Sequence, residues 1–161
     1  MKERNIKTIV LKPAMRQLFV ETWSMFILLI VAVLAAGIDL HITKLCGVIG
    51  VLIAMTAILR KLAYLNSVSW TISDSKIKYK HGVLHRKTDF TELYRIVDFE
   101  ESQNLLQQIF GIKTIIIISS DRTHQIMYMD GISHKSNIVE ILEQRVKLSR
   151  KENGIYEIAN R

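Results

Sequence analysis

The sequence has a single cysteine, Cys46, and it lies inside an apolar run. No disulfide framework can form within the chain, and this residue is most simply a small packing group. Catalytic signatures are missing as well. There is no Gly-rich phosphate loop with its lysine, no strand-turn-helix serine elbow, no HExxH and no paired-cysteine spacing. The chain therefore reads as a non-enzyme that uses no cofactor. Of its five histidines, His81 and His85 stand four apart, a spacing that makes a shared metal site only on a helix, whereas Gly82 marks a turn between them. Asp89, Glu92, Asp98, Glu100 and Glu101 crowd one region, but beside lysine and arginine such carboxylates read as solvated surface rather than as an acid and base pair. Internal repeats and low-complexity linkers are also absent.

Apolar residues are plentiful and unevenly placed. They make up 49% of 161 residues, an ordinary share, yet two long apolar runs crowd into residues 19 to 65. The first, Phe19 to Leu40, is about 22 residues long and at ~1.5 Å per residue reaches about 33 Å, against a hydrocarbon core of ~30 Å. Glu21 and Asp39 fall near its ends, and Trp23 stands where an interfacial aromatic is expected. After a polar link at His41 to Lys44, a second run from Leu45 to Leu65 is about as long. Arg60 and Lys61 lie close enough to its end to snorkel, and Arg16 precedes the first run, so these three read as basic anchors at the membrane interface.

The two runs predict a transmembrane hairpin. Ala32 and Ala36 in the first, and Cys46, Gly50, Ala54 and Ala57 in the second, form small-residue stripes of the kind found where helix backbones approach in lipid. Composition alone is the competing explanation, since glycine and alanine are common in such helices. Lys2, Arg4, Lys7, Lys12 and Arg16 precede the first span and Arg60 and Lys61 end the second, while the link holds only Lys44. The positive-inside rule then puts both ends of the chain in the cytoplasm. A cleaved signal peptide, with Val33 and Ala35 at the cleavage site, is the rival account of the first run, but its basic leader is too long for that reading to lead. A buried helix pair in a soluble protein is disfavoured because neither run has a polar face.

From Val68 onward the period changes. Lys76, Ile77, Lys78, Tyr79 and Lys80 alternate, which puts Ile77 and Tyr79 on a core face and three ammonium groups on a wet one. Gly82 breaks this strand, Val83 to Phe90 resumes it, and Leu93 to Phe99 extends again. Leu105, Leu106, Ile109 and Phe110 have helical spacing that ends at Gly111. Ile112 to Ser119 reads as a strand buried on both faces or lying in a closed sheet; Asp121 to Thr123 supply a turn, and His124 to Asp130 completes a hairpin. Ser133 is placed to cap a last helix with Ile138, Val139, Leu142 and Val146 on one face. A polar tail follows Ser149. The expected organisation is a cytoplasmic basic segment at residues 1–18, the two-helix hairpin at 19–65, a β-rich domain at 66–148 and the tail at 149–161.

Between Arg95 and Thr114 an ordered pattern stands out: Arg95-Ile96, then Asp98, Gln103, Leu105, Phe110, Gly111 and Thr114, with Trp70 and Gly82 upstream as an aromatic opening and a hairpin break. In this pattern the chain resembles the bacterial PH (pleckstrin-homology-like) domains that follow paired transmembrane helices. The resemblance covers roughly residues 45 to 147. It departs at Glu92, where many members have proline, and at Lys113, where many have a second glycine. The resemblance implies an α+β fold, in which the transmembrane hairpin carries an antiparallel PH-like β-barrel or sandwich closed by a C-terminal helix. It also implies a binding or assembly module in a bacterial inner membrane, and it supplies no catalytic residues.

The net charge of +7 makes an anionic partner worth seeking, and the one basic feature of that domain with a plausible ligand is the stripe Lys76, Lys78, Lys80 followed by His85, Arg86 and Lys87. Held just below a bilayer, it faces anionic headgroups, and each cation near the surface adds about 1 kcal/mol. The competing account makes it the solvated outside of a hairpin. Nucleic acid is not the expected partner, because neither aromatic–basic interleaving nor a basic helix accompanies the charge. The expectation is a membrane-anchored module that binds protein partners or anionic lipid, alone or as a homo-oligomer. The alternative is an accessory subunit of a transport or secretion complex that acts through its helices.

Overall fold

The structure, a computed structural model, describes residues 7–121 and 125–154. Lys2 and Arg4, part of the expected turn at 121–123 and most of the tail lie outside them. Two long helices, α1 (Arg16–Ala36) and α2 (His41–Ser67), form an antiparallel pair, and each is long and apolar enough to cross a membrane. The link between them is shorter than the sequence suggests. His41 to Lys44, expected as the link, is the first turn of α2; the chain turns at Gly37 to Leu40, and Leu40 is extended (φ −85°, ψ 123°). Polar side chains at the end of a helix reach water without leaving the helix, so their polarity did not mark a break.

Small residues do form the seam. A Cβ on Gly47 would stand 2.8 Å from the Ala32 carbonyl oxygen, and one on Gly50 would stand 2.9 Å from the Ala32 Cβ. Ala54 is fully buried. Gly47 takes the place expected for Cys46, which is exposed. At Thr22 the helical angles break (φ −117°, ψ 16°), and the Thr22 hydroxyl donates to the Leu18 carbonyl at 2.6 Å. Such back-bonding bends helices. Below the kink, Gln17, Leu18, Val20 and Thr22 are buried; above it, most of α1 is exposed apolar surface.

Seven strands follow the order β1 (Ile9–Leu11), β2 (Ser69–Ile72), β3 (Lys76–His81), β4 (Lys87–Glu92), β5 (Ile96–Ser102), β6 (Ile112–Ser119) and β7 (Ile126–Ser133). They make two antiparallel sheets, β1-β2-β3-β4 and β5-β6-β7. Of the expected barrel or sandwich, the closed barrel is not formed: the strands make two separate sheets. A one-turn 3-10 helix at Leu93–Arg95 carries the chain from one sheet to the other, so β4 and β5 are not paired. The inward faces of the sheets meet in one core, with Trp70, Ile72 and Ile77 from the first and Ile115, Ile117, Met127, Met129 and Ile132 from the second. Burial of that apolar area is the main source of stability for the fold. Ahead of the helices, Ile9, Val10 and Leu11 pair with Ile72, Thr71 and Trp70, so residues on both sides of the helical hairpin share one sheet.

The helix α3 (Leu105–Phe110) opens with a reciprocal cap, in which the Asn104 side chain and the Gln107 side chain each bond the other's backbone N–H, and it stops at Gly111 with φ +63°. The helix α4 (Ile138–Glu152) closes the core with Ile138, Leu142 and Val146. Ser133 is not its cap: β7 runs to Ser133, a turn follows, and Asn137 stands at the helix start. The helix also continues past Ser149, so the first residues of the expected tail are helical. Arg145 is buried on α4 and donates to the carbonyls of Ile72 (3.0 Å), Ser73 (3.3 Å) and Lys7 (2.8 Å). One guanidinium thus satisfies backbone acceptors that the strand ends leave open.

Candidate anion-binding site at the foot of the helices

β2 leaves the end of α2 and β3 returns toward it, with Ser69 opposite Lys80. The basic stripe is therefore graded. Lys80 stands level with the foot of α2, and Lys76 lies four residues back, about 13 Å at ~3.3 Å per residue. The loop at 82–86 projects beyond this level and runs beside the last turns of α2. There Val83 and Leu84 form, with Ala57, Arg60, Lys61 and Tyr64, the walls of an open groove of about 690 Å³. Leu84 is fully exposed and Val83 is 45% exposed. Gly82 is required at the turn: its φ is +98°, and a Cβ would run into the His85 carbonyl.

The structure separates the residues that the sequence grouped. Lys76, Lys78 and Lys80 share the outer face of the first sheet with Phe90, and the ammonium groups of Lys76 and Lys78 lie 5.3 and 5.5 Å from its ring centroid. Lys87 stands opposite His81 in the register, on the other face, and Arg86 belongs to the loop. Lys80, Arg86 and Lys87 are exposed and make no ion pair among the described residues. The three residues expected as interfacial anchors also differ among themselves. Arg16 donates to the Phe110 carbonyl at 3.0 Å, Lys61 pairs with Glu21, and Arg60 is exposed with no ion-pair partner among the described residues.

A smaller cavity of about 240 Å³ lies where the sheets part, lined by Tyr79, His81, Asp89 and Tyr128. His81 Nε2 and Asp89 Oδ2 are 3.0 Å apart, and the His81 ring stacks on Tyr79, which stacks in turn on Trp70. Burial, with the nearby Tyr64 hydroxyl, pushes the Tyr79 phenol well above its ordinary range. The other carboxylates have local partners. The Tyr94 hydroxyl, and then Arg95, lower the pKa of Glu92, Asp98 accepts from the Phe99 N–H, and Glu101 pairs with the buried Lys113 rather than only facing solvent. Among the described residues no three His, Cys, Asp or Glu side chains converge as a metal site would need.

The family model for the bacterial PH domain matches residues 23–145. The chain belongs to the bacterial PH domain family. The match takes in most of α1 as well as α2, and so begins earlier than the resemblance read from the sequence. No curated protein and no solved structure matches the chain. In this bacterial PH domain the motif residues hold the fold together. Arg95 bonds Glu92 at 2.7 Å and its carbonyl accepts from Ser120; Gln103 donates to the Ile112 carbonyl at 2.6 Å. Gln107 donates to Thr114, which donates to Asp130.

Two sets of residues in this PH domain protein escaped the sequence reading. Val83 and Leu84 look like ordinary strand residues, and their signal was that two apolar residues sit directly after a turn glycine. Gln17, Gln107 and Arg145 are polar residues on apolar faces, a pattern that marks buried hydrogen bonding but does not name its partner.

Proposed function

We propose that this protein is a membrane-anchored, non-catalytic binding and assembly module. In this reading α1 and α2 cross the inner membrane as a hairpin, with both chain ends cytoplasmic. The PH domain then presents Lys80, Arg86 and Lys87 to anionic headgroups. One observation carries it: the β3–β4 loop lies along the last apolar turns of α2, so a bilayer around α2 has these cations at its surface. At ~1 kcal/mol per cation within a Debye length of ~8 Å, Lys80, Arg86 and Lys87 contribute and Lys76, about 13 Å further back, contributes little.

The test uses the full chain in nanodiscs of zwitterionic lipid with or without phosphatidylglycerol. Hydrogen exchange in residues 80–87 slows with phosphatidylglycerol, and the variant K80Q/R86Q/K87Q loses that difference while Lys76→Gln keeps it. Equal exchange in both lipids argues against headgroup binding.

A second reading, an accessory subunit acting through its helices, draws on a polar chain that ties helices to domain. Lys61 pairs with Glu21, Glu21 accepts from Gln17, and Gln107 reaches both Gln17 (3.4 Å) and Thr114 (2.9 Å). Replacing residues 23–59 by an unrelated hairpin separates the two: headgroup binding survives the exchange, whereas a helix-borne assembly role is abolished.

A further inference from the structure

The groove between α2 and the β3–β4 loop is more than a place where a surface charge meets lipid. We propose that it seats one anionic phospholipid, with the phosphate at the Arg60 guanidinium and an acyl chain along Ala57, Val83 and Leu84. The inference rests on the membrane-anchored reading above and adds a discrete site to it.

Three observations bear on it. The volume of about 690 Å³ falls within the ~300–1,000 Å³ usual for small-ligand sites. Its walls are mixed: Ala57, Val83 and Leu84 are apolar, Arg60 and Lys61 bring cations about one turn further along α2, and Ala63 and Tyr64 line the end next to the domain. Of the two cations, Lys61 is already neutralised by Glu21, so Arg60 brings the uncompensated charge. A guanidinium binds a phosphodiester through paired N–H donors, and a lipid without a headgroup cation leaves the phosphate charge for Arg60 to compensate. Leu84 is fully exposed on the groove wall, an apolar residue at a loop tip with its whole side chain open to an occupant.

The groove lies at the level of the Glu21–Lys61 pair, where the apolar part of both helices ends. A protein or peptide occupant would have to enter there against lipid already present at high local concentration. The phospholipid is therefore the occupant that charge and position favour.

Native mass spectrometry of the full chain, released from nanodiscs containing equal phosphatidylglycerol and phosphatidylcholine, reads the site directly. The expected result is one phosphatidylglycerol retained per chain. Ala57→Phe fills the groove and removes that lipid, while Arg60→Gln lowers its retention about fivefold, as expected for one cation near the surface. K80Q/R86Q/K87Q leaves the single lipid in place, so the groove and the headgroup contacts of the loop fail or succeed separately. Hydrogen exchange of α1 and α2 checks that Ala57→Phe keeps the helix pair. No retained lipid, or retention unchanged by both Ala57→Phe and Arg60→Gln, overturns the site.

Discussion

Glu21 on α1 and Lys61 on α2 form an ion pair where the apolar parts of the two helices begin, and Gln17 donates to the same carboxylate at 2.8 Å. Both side chains are partly covered, so the pair is worth more than a fully hydrated one but remains modest, about 1 kcal/mol. Glu21→Gln and Lys61→Met each lower thermal stability in detergent. A double-mutant cycle returns a coupling of about 1 kcal/mol. Additive effects would mean that the pair does not join the helices.

Gly47 sets the closeness of the helix pair. Any side chain there collides with the Ala32 and Ala36 backbone, so Gly47→Leu costs about 3 kcal/mol or more and separates α1 from α2. Gly37→Ala is the control, since its Cβ would come no nearer than 3.4 Å to the Leu34 carbonyl and φ is ordinary there. Thermal denaturation in detergent distinguishes the two variants.

Tyr79 makes the domain sensitive to alkali. Its folded pKa is raised, chiefly by burial, so the folded state resists losing the proton. Its contribution is complete below the unfolded pKa of about 10 and is lost as the pH climbs through the range between the unfolded and folded values. Stability measured from pH 9 to 11.5 falls on this limb, and Tyr79→Phe flattens it.

Two buried polar atoms, Trp70 Nε1 and Thr91 Oγ1, have no hydrogen-bond partner among the described residues, whereas the buried charge of Arg145 is well placed. The Thr91 hydroxyl is buried with no hydrogen-bond partner among the described residues, so Thr91→Val stabilises by about 1 kcal/mol. Arg145→Met leaves the carbonyls of Ile72, Ser73 and Lys7 unpaired and costs about 3 kcal/mol. Chemical unfolding of the two variants gives opposite signs.

Much of this architecture was legible wherever local signals were strong. β6 falls on Ile112 to Ser119 as its isoleucine run requires, and Gly111 ends α3 as a glycine should. β1 was missed because three residues, Ile9 to Leu11, cannot declare a strand until Trp70 to Ile72 pair with them. Ser133 misled because a serine before an apolar run caps a helix only if the strand has already ended, and β7 had not. The basic stripe was visible as charge, but its gradation from Lys76 to Lys87 depends on strand direction relative to α2, which sequence periodicity does not contain. For the same reason Val83 and Leu84 acquired meaning only once the loop was seen beside Ala57 and Arg60.

The most direct test of the account is the depth of the loop tip in a bilayer. A spin label at Leu84→Cys, in a Cys46→Ser background and in phosphatidylglycerol-containing vesicles, reports whether oxygen or a water-soluble nickel chelate relaxes it more. Oxygen-dominated relaxation is the expected result, with the label at the boundary of headgroups and acyl chains. Relaxation dominated by the nickel chelate would place the tip in water and contradict it.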